Sequence, residues 1–448
     1  MADGPLTDVA GGVVASEDPG EVALHPTLAA LFGAFDREGI RWCVLRGETD
    51  LLAPADDVDL LVAPEEFPRL RRNAEGLGFA RVPAWGYGSH AFFLTYDASR
   101  DIWIKLDVVT ELAFGPGFSL ATGVEAECLR RRRRVGGIPL LADEDAFWAL
   151  LLHQLLDKEG AVAPGAAARL AELAHGSARD GPLARFVESV CPAGWSAERI
   201  VGEVERGDWT TLAGLAPRLA AAWRRRRGTD VRRRTIANGF WRWTGKGLRL
   251  SRRRGLGVAL LGPDGAGKST LTAGIERSFY FPVRSVYMGL YQRPSGSETG
   301  RGARGAGLAG RLGTQWARWL EAAYHRRRGR LVLFDRYSYE ALVPNRYRHS
   351  RRGRARRWLL GHSCPPPDLV VLLDAPGELL YARKGEHDVA LLEKQRAAYR
   401  ALVSRLPRAV VVDASREVDA VRPDVTAAIW GEYVRRWNRK KRTKACGS

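Results

Sequence analysis

The C-terminal half of this 448-residue sequence predicts an α/β fold, a doubly wound parallel sheet with helices on both faces. Two observations predict it. Five short apolar runs alternate with segments of helical character between residues 255 and 435. The first run leads directly into a glycine-rich turn and then a helix, which is the local order of a phosphate-binding loop, or P-loop. The N-terminal half has strand-like segments followed by helical ones and predicts an α+β domain with a helical extension.

The five apolar runs are predicted to be buried strands of the parallel sheet. Each is four to six residues long and is separated from the next by a helical stretch, as crossover connections require. They are Leu256–Leu261, Val283–Met288, Leu331–Phe334, Leu369–Leu373 and Ala409–Val412. Between the second and third runs, residues 289–310 are rich in glycine and arginine and predict a mobile loop.

The glycine-rich turn predicts a site for ATP and Mg²⁺. It reads Gly-Pro-Asp-Gly-Ala-Gly-Lys-Ser-Thr, and the predicted ATP-binding residues in it are Gly262, Asp264, Gly265, Ala266, Gly267, Lys268, Ser269 and Thr270. Its glycines let the backbone turn tightly, so that N–H groups can face a phosphate chain. The ammonium of Lys268 can reach the β- and γ-phosphates, and the hydroxyl of Ser269 can bind magnesium.

A charged pair follows the third apolar run. Asp335 and Arg336 come just after a predicted buried strand, and ligands of doubly wound sheets lie at the carboxyl ends of the strands. Asp335 can therefore help to hold magnesium, and Arg336 can clamp the phosphate of an acceptor. The alternative is that the two side chains only pair with each other at the start of a helix.

Five motifs in this half, in the same order, resemble thymidylate kinase over residues 256–430. They are the loop with Asp264, the Asp335-Arg336-Tyr337 turn, the strand 367–374, the segment 383–386 and the segment 411–415. The resemblance implies phosphoryl transfer from ATP to a nucleoside monophosphate. The Arg-Glu-Pro segment that thymidylate kinases carry near the acceptor base is absent from residues 287–294, so the identity of the base stays open.

The resemblance also implies roles for individual residues. Asp264 and Arg336 would bind the acceptor, and Arg383 and Lys384 would lie in a lid that closes on ATP. Asp413 and Ala414 would border the adenine. Together with the chemistry of phosphoryl transfer, this makes three residues the candidates for catalysis: Lys268, Arg336 and Arg383.

Three aspartates of the N-terminal half predict a second metal site. Asp57 and Asp59 are at alternate positions along a predicted strand, so their carboxylates point to the same side, and Asp107 on a later strand can complete a three-carboxylate magnesium site. The arrangement resembles the nucleotidyltransferase fold over residues 25–160, although the family's Gly-Ser turn reads Gly47-Glu48 here. A degenerate or purely structural domain is the alternative.

Charge and composition complete the expected organisation. The net charge is +19, mostly from arginine, and the predicted segments are a disordered tail 1–24, the nucleotidyltransferase-like domain 25–223, a basic connector 224–254, the kinase-like domain 255–435 and a basic tail 436–448. The connector is either a solvated linker or helix, or an amphipathic patch on anionic lipid or nucleic acid. Nucleic acid is not a required partner.

No apolar stretch is long enough to span a bilayer and no leader is recognisable, so a cytoplasmic protein is expected. Two further functions stay open. One is a kinase for another small molecule, to which the front domain adds a nucleotidyl group, and the other is a nucleotide-binding protein with vestigial catalytic residues.

Overall fold

The structure is a computed structural model that describes residues 23–46, 51–82, 87–175, 179–252, 255–289, 307–343, 350–385 and 387–445, with the backbone alone for 245–252 and 438–445. The chain divides into two compact units. The first comprises Met1–Leu77, Tyr87–Phe92 and Lys105–Ile236, and the second comprises Gly78–Gly86, Phe93–Ile104 and Ala237–Ser448, in each case their described residues. The predicted turn at Gly47-Glu48, most of the predicted tail 1–24 and residues 290–306 of the predicted mobile loop lie outside the described residues.

The elements up to residue 252 are α1 (Pro26–Arg37), β1 (Trp42–Arg46), β2 (Val58–Val62), α2 (Phe67–Gly76), β3 (Ala80–Val82), β4 (Ala91–Asp97), β5 (Ile102–Val109), β6 (Ala113–Phe114), β7 (Leu120–Ala121), α3 (Glu125–Arg131), β8 (Arg133–Val135), β9 (Ile138–Leu140), α4 (Asp143–Leu152), α5 (Pro164–Ala174), α6 (Pro182–Val190), α7 (Ala197–Glu205), α8 (Trp209–Arg226) and α9 (Gly228–Arg252). A seven-stranded sheet has the order β3-β4-β5-β2-β1-β9-β8. It is mixed, because β2 runs parallel to β5 and antiparallel to β1. Helices α4 to α8 follow it and share one apolar core, as the predicted helical extension requires.

The division of the chain differs from the predicted boundary at residue 224. Residues 78–86 and 93–104 belong to the second unit, although they precede most of the first unit in sequence. Within the second unit, Leu94 packs in one apolar cluster with Trp430 and Phe281, and the Trp103 indole N–H donates to the Ser278 carbonyl oxygen at 3.0 Å. These contacts join residues that are far apart in sequence, so local composition did not indicate them.

The second unit continues with β10 (Gly257–Leu261), α10 (Lys268–Ser278), β11 (Val283–Tyr287), α11 (Leu308–Arg327), β12 (Leu331–Asp335), α12 (Arg351–Gly361), β13 (Leu369–Asp374), α13 (Gly377–Lys384), α14 (Val389–Val403), β14 (Ala409–Asp413) and α15 (Val418–Ala445). Strands β10 to β14 form a five-stranded sheet in the order β11-β12-β10-β13-β14. Every neighbouring pair is parallel. All five predicted strands are thus confirmed to within one residue at either end.

Central strand β10 is buried on both of its sides. Val258 and Leu260 pack in one apolar core with residues of α10 and α15, such as Ile275 and Val425. The alternate residues Ala259 and Leu261 pack in a second core with residues of α11 and α14. Because successive side chains of a strand point to opposite faces, the sheet carries helices on both faces, as predicted.

The two basic segments that were predicted as a connector and a tail are largely helical. Residues 224–226 end α8, residues 228–252 form α9, and α15 continues through Ala445. The helix over 228–252 is compatible with both alternatives for the connector, a solvated linker or helix and an amphipathic patch. None of the described helices combines the length and the apolar character that crossing a bilayer would require.

Candidate functional site

The glycine-rich turn lies at the carboxyl end of the central strand β10 and leads into α10. Gly262 has φ 152° and Gly265 has φ 89°, backbone angles that residues with a side chain rarely adopt. A Cβ at Gly262 would lie 2.8 Å from the Leu373 carbonyl oxygen, and a Cβ at Gly265 would lie 2.6 Å from that of Leu380. Glycine is therefore required at both positions, because neighbouring backbone approaches the turn closely.

The three residues after the turn, Lys268, Ser269 and Thr270, form the first turn of α10, and Ala266 is buried beneath them. Free backbone N–H groups and the helix dipole make such a helix start favourable for an anion. The Lys268 ammonium is buried and donates to the carbonyl oxygens of Gly262 and Pro263 at 2.7 and 2.8 Å. Burial lowers the pKa of Lys268, and the nearby Arg336 lowers it further.

Two hard oxygen donors meet beside this helix start. The Ser269 hydroxyl donates to the Asp335 carboxylate at 3.3 Å, and Asp335 is buried at the end of β12. A hydroxyl and a carboxylate on adjacent elements fit the chemistry of Mg²⁺, which commonly takes only one or two protein oxygens in addition to phosphate oxygens. Ser269 and Asp335 are thus the residues that would hold this ion.

Arg336 lies between two carboxylates. Its guanidinium donates to Asp264 at 2.7 Å and to Glu340 at 3.0 Å. Burial would lower the pKa of Arg336, but the two carboxylates outweigh burial and raise the pKa above its ordinary value. The backbone φ of Arg336 is 69°, a conformation that is uncommon for a residue with a side chain. Such strain is found preferentially at functional sites.

Asp264 is the point where the charges of the site converge. Besides Arg336, its carboxylate oxygens have Lys268 Nζ and Lys384 Nζ at 4.0 Å each and His387 Nε2 at 3.7 Å. Burial alone would raise the pKa of Asp264, but these positive side chains lower it below its ordinary value. One carboxylate thus holds four basic side chains, from three segments of the second unit, beside the glycine-rich loop.

Sequence reasoning missed three residues of this site, namely Glu340, His387 and Tyr399. Glu340 is four residues after Arg336 in a short 3-10 turn, and this spacing could have indicated that the two side chains pair. Burial raises the pKa of Glu340, and the pKa of the buried Tyr399 is raised by burial and by Glu340. No local pattern marked Tyr399, which reaches the site from α14.

Arg383 binds backbone carbonyl oxygens after strand β14, whereas Lys268 and Arg336 lie beside Asp264. The guanidinium of Arg383 donates to the carbonyl oxygen of Ala414 at 2.8 Å, and also to those of Ser415 and Arg416 at 3.1 and 3.2 Å. In the same turn, Asp413 accepts from the backbone N–H and the hydroxyl of Ser415. Arg383 therefore ties α13 to the turn that was predicted to border adenine.

We expect Arg383→Ala to raise the Michaelis constant for ATP several-fold and to change that for the acceptor little, because the three bonds position the turn 413–416. Steady-state kinetics with each substrate varied in turn would measure both constants. Arg416→Ala is the matched control, since it removes an exposed guanidinium and retains the carbonyl that Arg383 binds. A fall in turnover at saturating ATP and acceptor would indicate a catalytic role for Arg383 instead.

In the first unit, Asp59 on β2 is directly opposite Asp107 on β5, and Asp57 lies one residue before β2 begins. Each carboxylate has its own basic partner. Asp59 accepts from Arg46 at 2.7 Å, Asp57 pairs with Lys105, and Asp107 is 2.9 Å from Nδ1 of His90. Burial raises the pKa of Asp59, and Asp107 raises it further against the opposing effect of Arg46.

These pairs do not fit a three-carboxylate magnesium site. Among the described residues, no group of three or more His, Cys, Asp or Glu is placed to hold a metal ion. The physical reason is that Arg46, Lys105 and His90 occupy the carboxylates that the metal would need. Arg46 ends strand β1 and Lys105 is two residues before Asp107, but nothing in the sequence indicated His90.

We expect the double variant Asp57→Asn, Asp59→Asn to leave the reaction of the second unit unchanged and to lower the unfolding temperature, because Arg46 and Lys105 lose their partners. Acceptor-stimulated ATP consumption and thermal unfolding would measure the two effects. Asp180→Asn, which changes an exposed carboxylate of the same unit, is the control. The assignment of these aspartates to ion pairs would be contradicted if the wild-type protein catalysed metal-dependent nucleotidyl transfer and the double variant did not.

Together, the parallel sheet, the helices on both of its faces and the glycine-rich loop at the end of its central strand define the second unit as an α/β unit. No protein-family model matches the chain, and no curated protein matches it. Among solved structures, it is similar to thymidylate kinase from Candida albicans with 18% sequence identity and a TM-score of 0.32, over 40% of this chain and 93% of that chain. A TM-score of this size assigns neither family nor activity, so the functional argument rests on the residues of the site.

Proposed function

We propose that the second unit transfers the γ-phosphoryl group of ATP to the phosphate of a nucleoside monophosphate. An oxygen of the acceptor phosphate would form the new bond to the γ-phosphorus while the bond to the ADP oxygen breaks, yielding ADP and a nucleoside diphosphate. The meeting of Lys268, Arg336 and Asp264 at the carboxyl end of β10 is the observation that supports this proposal.

The charge of the site suits two phosphorylated substrates better than one. The α10 start and Lys268 would receive the triphosphate, as in other glycine-rich loops that precede a helix. Arg336, directly after the neighbouring strand β12, would bind the acceptor phosphate through two parallel hydrogen bonds from one edge of its guanidinium once a carboxylate partner releases that edge. Bound Mg²⁺ would supply further charge neutralisation.

Little covalent chemistry is required of the protein in such a reaction. Phosphoryl transfer depends on alignment of the two substrates and on stabilisation of charge over the moving group. Hydrogen bonds hold Lys268 and Arg336 near Asp264, so both cations already lie beside the glycine-rich loop before substrates bind. This arrangement favours a phosphotransferase over a protein that only binds nucleotide.

A panel of nucleoside monophosphates with the purified full chain would test the proposal. We expect one of them to stimulate ADP formation from ATP and to yield the corresponding diphosphate in equal amount. Stimulation by an unphosphorylated nucleoside or by another small molecule would favour a different kinase. ATP binding without stimulation by any acceptor would overturn the proposal in favour of a nucleotide-binding protein.

A further inference from the structure

Three large aromatic side chains are exposed within four residues of α9. Phe240 is 56% exposed, Trp241 46% and Trp243 75%. Phe240 and Trp243 are three residues apart and lie on the same side of the helix, and the rings of Phe240 and Trp241 have centroids 5.8 Å apart. Single exposed apolar residues are ordinary, whereas a contiguous group marks a surface that another apolar medium covers.

The same helix is strongly basic. From Asp230 to Asp264 the sequence contains nine lysines and arginines and no acidic residue between the two aspartates. Arg242 lies between the two tryptophans in sequence, and Arg232 is exposed nearer the start of the helix. In the first turns, Asp230 pairs with Arg233 and Arg234, and Arg234 also pairs with Glu111.

We infer that α9 binds the surface of an anionic lipid bilayer, with Phe240, Trp241 and Trp243 at the level of the headgroups. Helices of this kind combine basic residues with tryptophan and phenylalanine, lie in the plane of the interface and gain from both apolar burial and attraction to anionic lipids. Tryptophan suits this position because its ring is apolar and its N–H is polar.

The aromatic group favours a lipid surface over double-stranded nucleic acid as the partner. Arginines alone suffice for contacts with the phosphates of a duplex, and such contacts leave the large apolar surface of Trp243 in water. An interface with acyl chains removes that surface from water, which makes the apolar and the basic residues of α9 parts of one binding surface. The inference is independent of the proposed phosphoryl transfer, because it uses no residue of the P-loop site.

Sedimentation of the full chain with phospholipid vesicles would test the inference. We expect the protein to sediment with vesicles of phosphatidylglycerol and phosphatidylcholine and to remain in solution with phosphatidylcholine alone. The triple variant F240A/W241A/W243A should bind the anionic vesicles at least about tenfold more weakly, because the apolar contribution is lost and the charge is retained. Thermal unfolding of the variant should be unchanged, since these side chains are exposed.

Trp358→Ala is the matched control. Trp358 is 61% exposed on the arginine-rich helix α12, so it tests whether any exposed tryptophan beside arginines has the same effect. Binding that is unchanged in the triple variant, or is weakened as much by Trp358→Ala, would overturn the assignment to α9. Binding of the wild-type chain to single-stranded DNA but not to anionic vesicles would identify nucleic acid as the partner instead and would equally overturn it.

Discussion

Replacement of Lys268 by alanine is expected to lower the turnover of phosphoryl transfer by at least about 100-fold, since removal of one preorganised group that stabilises transition-state charge has an effect of this order. Lys268 is the buried cation of the P-loop, and its ammonium is held by the carbonyl oxygens of Gly262 and Pro263. Turnover at saturating ATP and acceptor measures the effect, and circular dichroism checks the fold.

The second lysine of the site provides a matched control for this variant. Lys384 Nζ is as far from the Asp264 carboxylate as Lys268 Nζ is, 4.0 Å, but it comes from the end of α13 and its side chain is 44% exposed. Because solvent screens an exposed charge, Lys384→Ala should cost much less turnover. Equal losses for the two variants would contradict a special role for Lys268, and unchanged turnover in folded Lys268→Ala would refute the assignment of the loop.

Replacement of Arg336 by alanine is expected to raise the Michaelis constant for the acceptor and to lower turnover, with ATP affinity barely altered. A guanidinium that forms two hydrogen bonds to a phosphate contributes about 2–4 kcal/mol to the transition state, which is the loss we expect in kcat/KM. Arg336→Lys should recover little, because an ammonium cannot reproduce the planar pair of donors. Kinetics with varied acceptor at saturating ATP would measure this.

Two further variants separate the role of Arg336 in binding from its role in the fold. Arg336→Gly lacks the same guanidinium but accommodates φ 69°, so it should be about 1 kcal/mol more stable than Arg336→Ala while losing the same activity. Glu340→Gln removes the negative charge of the largely buried carboxylate that accepts from Arg336, and it keeps Arg336 itself. If Arg336→Ala weakens only ATP binding, the residue belongs to the donor site and the acceptor assignment is wrong.

The strands of the second unit could be predicted because their signal is local. A strand that is covered on both faces must be apolar throughout, so runs such as Leu369–Leu373 are visible in the sequence alone. The order β11-β12-β10-β13-β14 depends on pairing between distant segments, and no single run carries that information. The same limit explains why the sequence did not indicate that residues 93–104 cluster with the second unit: Trp103 packs beside Trp430, which lies near the far end of the sequence.

The glycine-rich loop was recognised for a related reason. Backbone turns that cradle phosphate need glycine at set spacings, and that requirement leaves a contiguous pattern from Gly262 to Thr270. The partners of its charged neighbours leave no such pattern. Asp264 accepts a hydrogen bond from Arg336, which is 72 residues further along the chain. It also lies near Lys384 and His387, which are further still.

The front unit shows most clearly what a pattern of carboxylates leaves open. Asp59 and Asp107 lie on strands as predicted, whereas Asp57 lies just before β2, and the parallel pairing of β2 with β5 was visible only in the structure. Whether such carboxylates bind a metal or a basic side chain depends on which groups the fold brings within about 3 Å. Here His90 reaches Asp107 from another segment, and Lys105 reaches Asp57.

Features that depend on neighbours along the chain could be predicted from the sequence: the five buried strands, the glycine-rich loop at the end of the first of them and the charged pair Asp335-Arg336. Which charged side chains lie together depends on the three-dimensional fold. In the fold, Arg336 lies between Asp264 and Glu340, and Arg383 donates to carbonyl oxygens that follow strand β14. The carboxylates of the first unit are paired there with basic side chains. The physical reason is that electrostatic and hydrogen-bonding energies depend on distance in space, whereas burial patterns of strands and helices repeat along the chain.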